Sequence, residues 1–139
     1  MKFFDQKNHR LVYKSRSATP EFWDECWEDD EFKKTVVGVS SQSFVKKITK
    51  KYLPLESKIL EGGCGRGQYV YALQKWGYDS YGLDFAPITV KKIQELFPEL
   101  KVSLGDVRSI PFADNTFDGY WSFGVIEHFY EGFGQIAGE

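Results

Sequence analysis

Four of the chain's thirteen glycines fall within six residues, in the run GGCGRG at 62–67. A short apolar stretch, Lys58 to Glu61, leads into the run, and a helix-periodic stretch through Tyr69, Val70, Leu73 and Trp76 leads out of it. A strand that enters a helix through glycines leaves unpaired N–H groups and a positive partial charge beside a backbone without side chains. An anionic or carbonyl-rich ligand can approach there. Two common occupants fail on spacing. In the dinucleotide pattern G-x-G-x-x-G, counting from Gly63 puts the third position on Gln68, and counting from Gly62 puts the second on Cys64. A Walker loop fails because no lysine followed by serine or threonine closes the run.

Other reactive side chains lie within the run and far beyond it. Cys64 could be a nucleophile activated by the helix N-terminus, but a small side chain filling the glycine turn is the better reading. Arg66 is open between a ligand carboxylate and solvent. His128 could act as a general base near neutral pH or make a structural hydrogen bond, and Glu127 beside it carries the same ambiguity.

These residues need a scaffold. With 42% hydrophobic and 17% aromatic residues, the 139-residue chain has the apolar material for one packed domain. A net charge of -2 gives no overall basic field, so nucleic acid is not the default partner. Cys26 and Cys64 lack metal-site or disulfide-framework spacing, which fits reduced thiols in a cytoplasm. No run has the signal-peptide or membrane-span pattern, so no membrane partner is expected.

Residues 1–18 show no sustained period and are read as an arm. Thr19 followed by Pro20 predicts a helix over 20–34, with Phe22, Trp23, Cys26 and Trp27 as an apolar stripe beside Asp24, Glu25, Glu28 and Asp29. The stripe is core packing or a lid over a ligand. Ser41 or Ser43 caps a second helix to about Tyr52, with Phe44, Val45, Ile48 and Leu53 inward and its lysines in solvent. From Lys58, strands and helices alternate, the pattern of a parallel α/β sheet. Strands are expected at 58–61, 80–85, 101–104 and 117–123, with helices after the glycine loop and from Pro87 to near Pro98, and a further helix that Val125 to Phe129 begin.

The segment Glu61-x-Gly63-x-Gly65-x-Gly67 at the end of the first of these strands resembles the first motif of class I S-adenosylmethionine-dependent methyltransferases of the small-molecule type. Three later segments are similar to further landmarks of that family. Asp84, in YGLDFAP, matches the strand-end acid that accepts the ribose hydroxyls, with Phe85 next to it. GDVRSIPFADNTFD at 105–118 resembles the adenine-recognition segment, where Asp106 would meet the exocyclic amine and the Val107 N–H a ring nitrogen. FDGYWSFGVIEHF at 117–129 resembles the fourth strand and following helix, where the backbone of Ser122 and Phe123 would line the methionine part.

The resemblance implies S-adenosylmethionine as cofactor and a small-molecule methyl acceptor, and the cysteine and histidine spacing indicates no metal site. It gives the binding set Glu61, Gly63, Cys64, Gly65, Gly67, Asp84, Phe85, Asp106, Val107, Ser122 and Phe123. Glu61 would organise the loop and attract the cofactor's ammonium group. No fixed catalytic residue is implied, and His128 is a weak candidate. The expected architecture is a partial doubly wound parallel sheet of order 3-2-1-4 with helices on both faces. Residues 1–57 would form an arm and cap helices, and 58–139 a cofactor-binding half-domain that is incomplete at its carboxyl end. Family members continue through further strands, so the alternative is a truncated fragment with weak or no cofactor binding. A polyamine-synthase-like activity is disfavoured by the lack of an acidic cluster for a polyamine. The apolar fourth strand, left as an edge, would favour self-association.

Overall fold

A computed structural model describes residues 1–13, 18–28, 30–39, 41, 43–129 and 134–137, so Asp29 lies outside the described residues. Strands β1 (Lys2–Asp5) and β2 (Arg10–Tyr13) form an antiparallel hairpin where the sequence reading had only an arm. Its alternation lasts four residues a side, too short to register as a period. The turn is closed by Asp5, whose carboxylate accepts the Asn8 side chain at 2.8 Å and Arg10 Nε at 3.3 Å.

The single helix expected over 20–34 is two helices, α1 (Pro20–Trp27) and α2 (Phe32–Val37). Thr19 caps α1 by accepting the Phe22 N–H, and Glu28 ends it in an extended conformation. The break lets α2 bury Phe32 and Val36 among Cys64, Val70, Val90, Ile93 and Val102. Burial of two large side chains overrides the local helical pattern.

Helix α3 (Phe44–Tyr52) is capped by Ser43, but it is rotated from the expected orientation. Val45 and Thr49 are buried while Phe44 and Ile48 are exposed. The buried hydroxyl explains the face. Thr49 Oγ1 donates to the Val45 carbonyl at 2.7 Å and accepts Trp121 Nε1 at 3.1 Å, so its polar atom is satisfied out of water.

The remaining elements are β3 (Lys58–Gly62), α4 (Gln68–Lys75), β4 (Asp79–Asp84), α5 (Pro87–Leu96), β5 (Lys101–Leu104), β6 (Gly119–Ser122) and α6 (Gly134–Ala137). The four strands form one parallel sheet in the order β5-β4-β3-β6, the expected 3-2-1-4 counted from β3. Central β3 is buried from Ile59 to Gly62, as a strand paired on both sides and covered on both faces must be. Its entry is fixed by Lys58, whose N–H donates to the Asp118 carboxylate and whose carbonyl accepts the Asp118 N–H, both at 2.8 Å.

One face carries α4 and α5, with α2 and α3 beside them. On the other, Leu60 and Leu83 pack against Val107, Ile110, Phe112, Phe117, Val125, Phe129 and Ile136. That face is therefore covered mainly by connecting segments, with α6 as its described helix. The fourth strand is shorter than the expected 117–123. The helix expected from Val125 is a single 3₁₀ turn, Ile126–His128.

Candidate functional site

The glycine loop joins the carboxyl end of β3 to α4 and is held from below by β4. The Gly63 and Cys64 N–H groups both donate to the Leu83 carbonyl, at 2.8 and 3.1 Å, and the Gly67 N–H donates to the Cys64 carbonyl. Gly63 and Gly65 have φ of +72° and +51°, which L side chains rarely adopt. Space is closed to them as well. A Cβ on Gly63 would overlap Val125, and one on Gly65 would stand 3.0 Å from the Trp27 ring.

Asp84 ends β4 directly beneath this loop. Its Oδ2 accepts the Gly65 N–H at 2.7 Å and its Oδ1 the Ala86 N–H at 3.0 Å, and it is 5% exposed. Burial pushes its pKa up, against the opposing pull of the Ala86, Gly65 and Phe85 N–H groups. Glu61 lies deeper still, at 2% exposure. Burial raises its carboxyl well above the ordinary range, although the Val70 N–H bonds to it, and Asp84 adds repulsion. Its Oε2 has no partner, nor does the buried Oε1 of Gln68 at the first turn of α4. Orphaned buried acceptors are rare in a folded interior and ask for an occupant.

Cys64 is free and buried, with its sulfur packed against Gly82. Burial, Glu61 and Asp84 all push the thiol well up. A nucleophilic thiolate is therefore disfavoured, and the space-filling reading fits. Arg66 is drawn to the N-terminal helices: its guanidinium lies 5.4 Å from the Trp27 ring and Nε bonds the Trp27 carbonyl at 3.4 Å.

The later site residues spread along the same sheet edge. Asp106 grips Arg108 with both oxygens, at 2.6 Å to Arg108 NH2 and 3.0 Å to Nε, and its pKa is lowered by that bond. Val107 is buried with Leu60 and Leu83. Phe85 is half-buried between Asp84 and Ala86. Ser122 ends β6 opposite Gly62, and the Phe123 ring stacks on Trp121 and meets Tyr69. His128 is exposed, with its ring edge-on to Trp23 at 4.9 Å. Trp23 in turn stacks on Trp27, so α1 lays an aromatic wall from His128 to the glycine loop. Among the described residues no cluster of three or more metal-ligating side chains occurs.

A methyltransferase domain family matches residues 60–136, from the middle of β3 into α6. The chain belongs to that family. In this methyltransferase domain the matched segment holds the whole glycine loop, both strand-end acids and β6. A Mycolicibacterium smegmatis protein named as a probable S-adenosylmethionine-dependent methyltransferase is 29% identical over 73 residues, 52% of this chain and 28% of that protein. The TehB-like SAM-dependent methyltransferase from Corynebacterium glutamicum superposes with a TM-score of 0.55 at 26% identity, covering 78% of this chain and 56% of that one. The [4+2]-cyclase SpnF shares the fold, with a TM-score of 0.53 at 18% identity over 79% of this chain and 50% of that one. The chain thus spans from just over a quarter to just over half the length of these relatives.

Sequence reasoning placed Trp27 in a stripe that was core or lid without its contact with Gly65, and it did not single out Val125 and Gln68, because these contacts with the loop depend on where distant segments dock. It also missed Asp24, read only as part of an acidic face. The detectable hint was Ala86, which cannot cap the helix that Pro87 opens.

Proposed function

We propose that the chain binds S-adenosylmethionine across the carboxyl ends of β3 and β6 and serves methyl transfer to a small-molecule acceptor in a reducing, cytoplasmic setting. The observation that carries the reading is the unpartnered Oε2 of buried Glu61 below a loop of positive-φ glycines. An ammonium group is the partner that such a carboxylate lacks, and the glycines keep side chains out of a ligand's approach while Leu83 and Asp84 hold the loop's N–H groups in place. Bound there, the cofactor supplies an activated methyl group on sulfur.

The chain's own residues bind and orient. Glu61 would receive the ammonium, and Gly63, Cys64, Gly65 and Gly67 would cradle the methionine part with Ser122 and Phe123. Asp84 commits one lone pair of Oδ2 to the Gly65 N–H of the loop and one of Oδ1 to the Ala86 N–H of its own turn, and keeps others for ribose hydroxyls, with Phe85 alongside. Asp106 would share its carboxylate between Arg108 and the adenine amine, beside the Val107 N–H. His128 would take a proton from an acceptor that has to lose one, at the aromatic wall formed with Trp23. Little further catalytic machinery is needed when in-line positioning supplies the rate.

Isothermal titration with S-adenosylhomocysteine tests the reading. One-to-one binding that weakens at least tenfold in Asp84→Ala is expected, from the loss of a charged acceptor worth about 1.5 to 3 kcal/mol per hydrogen bond. No heat from a folded wild-type chain at millimolar ligand would favour the alternative, a fragment that does not bind the cofactor. We further propose self-association through β6. Among the described residues no strand pairs with its outer side, and a groove of about 250 Å³ runs beside it, lined by Ile48, Tyr52, Leu53 and Tyr120.

A further inference from the structure

Helix α5 opens at Pro87 with alanine in its cap position, so its first N–H groups find no side-chain acceptor in their own segment. The acceptor comes from another helix. Asp24, midway along α1, takes the Thr89 N–H at 2.7 Å and the Thr89 hydroxyl at 2.8 Å on Oδ1, and the Ile88 N–H at 3.3 Å on Oδ2. Asp24 and Thr89 are both buried, so removing the acid would leave donors stranded out of water.

The same helix reaches the glycine loop. Trp27, three residues beyond Asp24 and so on the same side of α1, rests on Gly65. The Gly65 N–H is held by Asp84, and Asp84 stands three residues before the Pro87 that starts α5. The contacts therefore close a ring from Asp24 to α5, back to Asp84, across to Gly65, up to Trp27 and along α1 to Asp24.

We infer that Asp24 is a positioning residue for the cofactor cradle: by capping α5 from α1, it fixes Trp27 over Gly65 and holds the turn that carries Asp84. The inference rests on the proposed function only in calling the cradle a cofactor site. The ring itself is a property of the ligand-free chain.

Residue-resolved amide hydrogen exchange on the ligand-free protein separates this role from local capping. Asp24→Ala should speed exchange at Ile88 and Thr89 and, together with them, at Gly65, each by about tenfold. Asp24→Asn keeps an oxygen for Thr89 and should restore most of the protection. Thr89→Val removes one of the three bonds at nearly constant volume, so it should give the same paired response on a smaller scale even if Asp24→Ala fails to fold. Faster exchange confined to Ile88 and Thr89, with Gly65 unchanged, would overturn the inference. With S-adenosylhomocysteine, affinity should drop about tenfold in Asp24→Ala and recover in Asp24→Asn. Absence of binding by the wild-type chain would sink the cofactor reading instead, while the exchange pattern would still decide the role of Asp24.

Discussion

Strands β3 and β6 lie side by side in one parallel sheet, yet their surroundings differ. Four of the five β3 residues are buried, it is paired on both sides, and its carboxyl end runs into a loop whose N–H groups are committed to Leu83 and Asp84. No β6 residue is buried, Tyr120 is 42% exposed, and its outer side has no partner among the described residues. A site assembled along both strands thus has one wall fixed by the interior of the sheet and one wall open. The fixed wall is where the proposed cofactor contacts concentrate, and the open one is the proposed surface for self-association.

The strongest way to break this contrast is to put a side chain into the fixed wall. Gly63→Val imposes a β-branched residue at φ +72° and drives it into Val125. A loss of about 3 to 4 kcal/mol in denaturant unfolding is expected, with no measurable S-adenosylhomocysteine binding. A stable, binding-competent variant would show that the loop is not the rigid wall described.

A subtler change sharpens the contrast through pH. Burial keeps the Glu61 carboxyl well above its ordinary value, so the folded chain retains a proton that the unfolded chain gives up. Stability from this group is therefore lost as pH rises from its unfolded pKa towards its folded one. Thermal midpoints should fall more steeply from pH 5 to 8 in the wild type than in Glu61→Gln, which keeps the shape without the titration. Parallel profiles would mean that the carboxylate is compensated in solution.

The smallest effect belongs to the open wall. Ile48→Lys places a charge in the groove beside β6 and should shift stability by no more than about 0.5 kcal/mol. It should nevertheless reduce concentration-dependent association in sedimentation. Equal association of variant and wild type would move the interface elsewhere.

The fixed wall was also the more legible one. Glycine spacing, the acid at the mouth of β3 and the acid ending β4 are local signals, because strand, loop and helix are contiguous there. The alternation of strands and helices gave the parallel sheet, and the order of its four strands came from the family resemblance. The open wall and the cap helices were read less well. Nothing local told that α1 would stop at Trp27, that Thr49 rather than Ile48 would face inward, or that the segment from Val125 would form only a single 3₁₀ turn. Each of those outcomes depends on a distant partner, such as Trp121 for Thr49, and periodicity carries no information about partners.

The hydrogen bonds that tie Lys58 to Asp118 span 60 positions of the chain. During synthesis the middle strand of the sheet therefore leaves the ribosome well before one of its two neighbours exists. At ordinary elongation speeds of about 5 to 20 residues per second, that wait is roughly 3 to 12 s. β4, whose Asp79 pairs with Lys58, arrives much sooner. A nascent chain should therefore settle the β3–β4 pair with its intervening helix first, and hold an unpaired strand edge in need of chaperone shelter until Gly119 to Ser122 emerges.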